Sequence, residues 1–80
     1  MPRYHFHLHE CGDITPDEEG VEIANLDDAH TWAIQAARDV MCGEVETGHL
    51  CLGCAIVIAD AQGQEVGRVP FKQAVKVVGF

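Results

Sequence analysis

A chain of 80 residues has room for one domain, and one helix laid on one sheet is about the largest core it can close. Thirteen acids against five bases give a net charge of −8, which repels phosphate backbones, disfavours nucleic acid as a partner and suits a basic protein. No apolar run approaches the ~20 residues of a membrane span, and the opening Met1-Pro2-Arg3-Tyr4-His5 lacks the apolar stretch of a signal peptide, so the expected location is the cytoplasm with no membrane partner.

Residues Arg3 to His9 alternate strictly, with Tyr4, Phe6 and Leu8 on one side and His5, His7 and His9 on the other, which predicts a half-buried strand. Glu10 to Glu19 combines glycine and proline breaks with acids and reads as a turn or loop. Gly20 to Ala24 reads as a short second strand, antiparallel to the first. Ala29, Trp32, Ala33, Ala36, Ala37, Val40 and Met41 then recur at the spacing of one helix face, with Trp32 and Met41 expected in the core and Arg38 in solvent. Asn25 suits the N-cap, Asp28 suits the first turn, and either Gly43 or Gly48 can end the helix. Cys54 to Ala59 is a second clear strand. Asp60-Ala61-Gln62-Gly63 supplies a turn, and Glu65 to Phe71 returns as the hairpin partner. Val66 and Val69 break its alternation, so Gly67 marks a bulge, and Pro70 ends the ladder. Ala74 to Val78 fits a last strand or a short helical turn.

The order β-β-α-β-β predicts a single α+β domain over residues 1–80, an antiparallel sheet of four strands, or five with the tail, and one helix on one face. So small a core gains from association, and the histidine side of the sheet is left open. A homo-oligomer is therefore expected.

Met1-Pro2-Arg3-Tyr4, Phe6-His7 and the acidic turn Asp17-Glu18-Glu19-Gly20 resemble an uncharacterised family of short alphaproteobacterial proteins, a domain of unknown function. The alanine-rich helix, the Asp60–Gly63 turn and Val69-Pro70-Phe71 extend the resemblance along nearly the whole chain. It implies a free-standing bacterial protein and no particular activity. The family pattern usually has an aromatic at His5 and lacks cysteines at 42, 51 and 54, so metal binding would be peculiar to this chain.

Two clusters carry metal-ligating residue types. Same-face neighbours in His5-x-His7-x-His9 lie about 6–7 Å apart, close enough for two imidazoles to share an ion, whereas His5 and His9 are about 13 Å apart at the backbone. The other cluster, His49-x-Cys51-x-x-Cys54, offers half of a tetrahedral zinc site, with Cys42 as a further donor. The competing reading makes the histidines a polar face or interface and Cys54 a small packing residue. With no signal peptide, the four cysteines 11, 42, 51 and 54 are expected to be reduced. A redox dithiol at 51 and 54 lacks the following helix that lowers thiol pKa in thioredoxin-like motifs. The acids from Glu10 to Glu22 match a calcium loop poorly. The chain has no serine, no nucleophile elbow and no phosphate-cradling loop, so no enzyme is expected. The leading expectation is a non-enzymatic interaction module, homodimeric through the open sheet face or an edge. The alternative is a small protein binding zinc or another transition metal through His5, His7 and His9 or through His49, Cys51 and Cys54. A weaker one is an antitoxin-like partner of a basic protein.

Overall fold

Alternation along the first strand dictates the architecture, because its aromatic and leucine side must be covered and its histidine side need not be. The computed structural model describes residues 1–10 and 12–79, so Cys11 and Phe80 lie outside the described residues. The elements are β1 (Arg3–Glu10), β2 (Asp13–Thr15), β3 (Val21–Glu22), α1 (Leu26–Glu46), β4 (Ala55–Ala59), β5 (Glu65–Pro70) and α2 (Phe71–Ala74). The antiparallel sheet has the order β2-β1-β4-β5, and β3 also pairs with β1. A small α+β domain with one main helix is therefore the fold.

The fifth strand comes from within the acidic segment expected to be a loop: Ile14 faces His9 and Thr15 faces Leu8. The tail instead begins with the single helical turn α2. Pro70 stands before that turn, Phe71 donates its N–H to the Cys54 carbonyl at 2.9 Å, and Phe71 and Ala74 are buried.

Helix α1 buries Ala29, Ala33, Ala37 and Met41, one residue per turn along a single stripe. Alanines there let the helix lie close on Ile56, Ile58, Val69 and Phe71. The Asn25 side chain accepts the Asp28 N–H at 2.8 Å, and Asp27 and Asp28 occupy the first turn, at the positive end of the dipole. The helix runs through Gly43 and ends at Thr47, where Gly48, at φ +83°, reverses the chain. Trp32 departs from the expected core position: it is 49 % exposed and leans its ring on Phe6, with centroids 6.2 Å apart. Arg38 also departs, since its Nε donates to the Ala74 carbonyl at 2.7 Å and ties α1 to α2.

The bulge expected near Gly67 is present. Ile58 faces Gly67 but Ala59 faces Glu65, so Val66 is the extra residue. A Cβ on Gly67 would stand 3.0 Å from His30 Nε2, so the helix passes close over this point.

Candidate functional site

Directly opposed residues of an antiparallel pair share a face. Register therefore places His5 with Ala59, His7 with Val57 and His9 with Ala55 on the face away from α1. Arg68 lies beside Val57, Pro70 beside Ala55, and Ile14 beside His9 on the same face. Among the described residues no helix covers it, yet Ala55, Val57 and Ala59 are buried.

The histidine row has a second connection. Strands β2 and β3 lie along the same edge of β1 but leave a gap opposite its middle, where residues 16–20 pass. Asp17 fills that gap. Its Oδ2 accepts the Phe6 N–H at 3.0 Å and its Oδ1 accepts the Gly20 N–H at 3.1 Å. His5 Nδ1 donates to the Asp17 carbonyl at 2.8 Å, and the Asp17 N–H donates to His7 Nδ1 at 2.9 Å. The two imidazoles stack, with centroids 6.2 Å apart and planes within 10°. These bonds fix the tautomers. His5 carries its proton on Nδ1, whereas a neutral His7 carries its proton on Nε2.

Burial works to raise the Asp17 pKa. The N–H groups of Phe6 and Gly20, the charge of His5 and the N–H of Glu19 together outweigh it and hold the carboxyl below its usual value. Gly20 completes the clasp at φ +72°, with space for a Cβ blocked by the Tyr4 carbonyl at 2.8 Å. Phe6, His7, Asp17 and Gly20, from two separate stretches of the family-like pattern, thus meet at one place.

The cysteine cluster sits at the C-terminal end of α1. Glu44 organises the chain there. Its carbonyl accepts the N–H of Thr47 and of His49, its Oε1 accepts the Cys51 N–H at 3.5 Å, and its Oε2 lies 3.8 Å from His49 Nε2. The turn at Leu52 and Gly53 then folds Cys54 back, and the two sulfurs stand 2.7 Å apart. Cys54 is buried, Cys51 is half-buried, and Cys42 is exposed on the helix, outside this pair.

The sequence candidates are therefore brought together in pairs: His5 with His7, and Cys51 with Cys54. His9 lies further along the row, and His49 turns to Glu44. Among the described residues, no three His, Cys, Asp or Glu side chains converge as a metal site. Asp17 is what sequence reading missed. Its signal is the mismatch between an eight-residue strand and the two short pieces available to pair with it. A surface groove of about 600 Å³ lies between Leu52 and the α2 region, lined by Lys72, Gln73, Val75, Lys76 and Val77 as well, with no acid, imidazole or thiol in its wall. No described helix is long and apolar enough to cross a membrane.

Fold and clasp together define a small α+β domain, one helix on an antiparallel sheet whose outer edge is pinned by an aspartate. Residues 3–72 match the family model of a domain of unknown function, DUF6894, and the chain belongs to that family. No curated protein and no solved structure matched the chain.

Proposed function

We propose that the domain is a non-enzymatic interaction module that pairs with a second copy of itself through the uncovered sheet face. The observation that carries this reading is the one-sided cover: α1 shields Phe6, Leu8, Ile56 and Ile58, while the opposite face has a floor of Ala55, Val57 and Ala59 beside the histidine row. Both sheet edges are poor docking sites. On the β1 side the edge is broken into the short strands β2 and β3 with the Asp17 clasp between them, and the β5 edge carries a bulge, charged side chains and Pro70. Charge favours the face as well. Glu65, beside Ala59, is paired with Arg68 at 3.4 Å, so the net −8 of the chain is not concentrated where two copies would meet. Ile14 at the rim, 62 % exposed, supplies apolar contact.

Sedimentation equilibrium tests the proposal. The native chain is expected to be a dimer, and Ile14→Glu and Arg68→Glu are each expected to shift it towards monomer with unchanged circular dichroism. A native chain that stays monomeric over the whole concentration range, or a dimer indifferent to both substitutions, overturns it.

A further inference from the structure

We propose that the groove beside α2 is a docking site for an acidic–apolar peptide segment of another protein. Charge assigns the occupant. The chain has two lysines, Lys72 and Lys76, and both line this groove, although acids outnumber bases 13 to 5 in the whole chain. Each arginine already has an acceptor: Arg3 pairs with Glu22, Arg68 pairs with Glu65, and Arg38 donates to the Ala74 carbonyl. Among the described residues neither lysine takes part in an ion pair, both are exposed, and no carboxylate lines the groove. The net −8 that suits a basic partner elsewhere is thus reversed locally.

Apart from Gln73, the rest of the wall is apolar, formed by Leu52, Val75 and Val77. Val75 also lines a second hollow, of about 360 Å³, together with Met41, Val45 and Leu50, so apolar surface continues from the groove along the end of α1. Val45, Leu50 and Val77 are exposed. The support is built in advance, because Phe71 and Ala74 are buried and Arg38 holds the Ala74 carbonyl at 2.7 Å, so α2 need not be ordered on binding. Past α2, Val75 is extended, at φ −135° and ψ 154°. Among the described residues neither Val77 nor Val78 belongs to a strand or to a backbone hydrogen bond. Their N–H and C=O groups are available to an extended peptide backbone.

Exposed ion pairs add little affinity, so the apolar contacts supply most of it and the lysines select an acidic partner. The acidity of the whole chain favours a short segment over an anionic membrane. The field of an exposed charge fades over about 8 Å at physiological salt. A peptide held at the lysines is therefore largely screened from the other acids, whereas an extended lipid surface meets many of them.

The test uses the full chain and a capped peptide with a leucine-valine-leucine centre and two glutamates at each end. Calorimetry is expected to show binding that weakens as salt is raised. Amide chemical shifts are expected to move at Leu52 and along residues 72–77. The double reversal Lys72→Glu with Lys76→Glu is expected to weaken binding by about tenfold or more, because each attraction becomes a repulsion. Both side chains are exposed, so its circular dichroism is expected to stay native. Val77→Asp is expected to weaken binding too, and the same peptide with glutamine for glutamate is expected to bind more weakly to the native chain. No binding at millimolar peptide, equal binding of the glutamate and glutamine peptides, or indifference to the lysine reversals overturns the proposal. So does preferential binding to phosphatidylglycerol vesicles through the same lysines, which would make the occupant a membrane. Self-association lost in the double reversal would make it a second copy, and overturns the proposal as well.

Discussion

The Asp17 clasp and the 47–54 turn are both rich in side chains that bind metals, yet the fold uses them in opposite ways. In the clasp the imidazoles serve the backbone: His5 and His7 bond the carbonyl and N–H of Asp17, and the Asp17 carboxylate bonds the N–H groups of Phe6 and Gly20. In the turn a carboxylate, Glu44, serves the backbone, and the sulfurs face each other. The difference follows from donor strength. An unpaired N–H or C=O near a sheet edge recruits the strong hydrogen-bonding groups within reach, and a thiol is too weak to compete. A histidine beside a gap in a ladder is thus a strut, and in the turn Glu44 takes that part instead.

The comparison breaks most visibly at Asp17. Asp17→Ala removes the acceptor of two backbone N–H groups and is expected to cost about 2–3 kcal/mol, a fall in melting temperature of roughly 10–20 °C for a chain of this size. The charge itself can be read by pH. The folded-state pKa of Asp17 is lowered from 3.8, so its contribution to stability is fully present above that value and is lost as pH falls through the lower folded value. Urea unfolding as a function of pH is therefore expected to show an acid loss in the native chain that Asp17→Asn flattens. Parallel curves for the two proteins would mean that the carboxylate is solvated and the clasp is not closed in solution.

Gly20 sharpens the same point from the backbone side. Gly20→Ala is expected to cost about 2 kcal/mol, from the left-handed conformation and from a Cβ forced to 2.8 Å from the Tyr4 carbonyl. Gly63 also has a positive φ, +84°, but has open space around it, so Gly63→Ala is expected to cost only the conformational part, about 1 kcal/mol. Equal losses at the two positions by thermal denaturation would show that Gly20 is not packed against β1.

What the sequence made legible was periodic. The stripe Ala29, Ala33, Ala37 and Met41, the alternation of β1, the strand from Ala55 and the bulge at Gly67 all announce themselves within a few residues. Strand β2 did not, because three residues between turn signals carry too little pattern. Trp32 sits at the margin of the helix stripe, where the same spacing serves a ring laid on Phe6 as well as one in the core. Arg38 meets Ala74 across 36 positions, and Asp17 meets Phe6 across 11. Both contacts depend on where distant elements land, which no local period encodes. The metal-like residues were visible as types, but whether each serves backbone or ligand is decided by those same distant contacts.

His7 gives the smallest and most specific expectation. Its Nδ1 accepts the Asp17 N–H at 2.9 Å, and it does so only while that nitrogen is unprotonated. His7→Ala is expected to cost about 1 kcal/mol, one half-buried hydrogen bond together with the stacking on His5. That bond reaches the Asp17 backbone, not its side chain, so simple additivity would make the His7→Ala and Asp17→Ala costs independent. The clasp argues otherwise. Once the carboxylate no longer pins residues 16–20 against Phe6, the Asp17 N–H is not held in front of His7, and the imidazole has less left to lose. A double-mutant cycle by urea unfolding is therefore expected to show His7→Ala costing less in the Asp17→Ala background than in the native chain. A cycle that closes at zero coupling would mean that β2 and β3 position the segment without Asp17, and that the histidine row is a neighbour of the clasp and not a part of it.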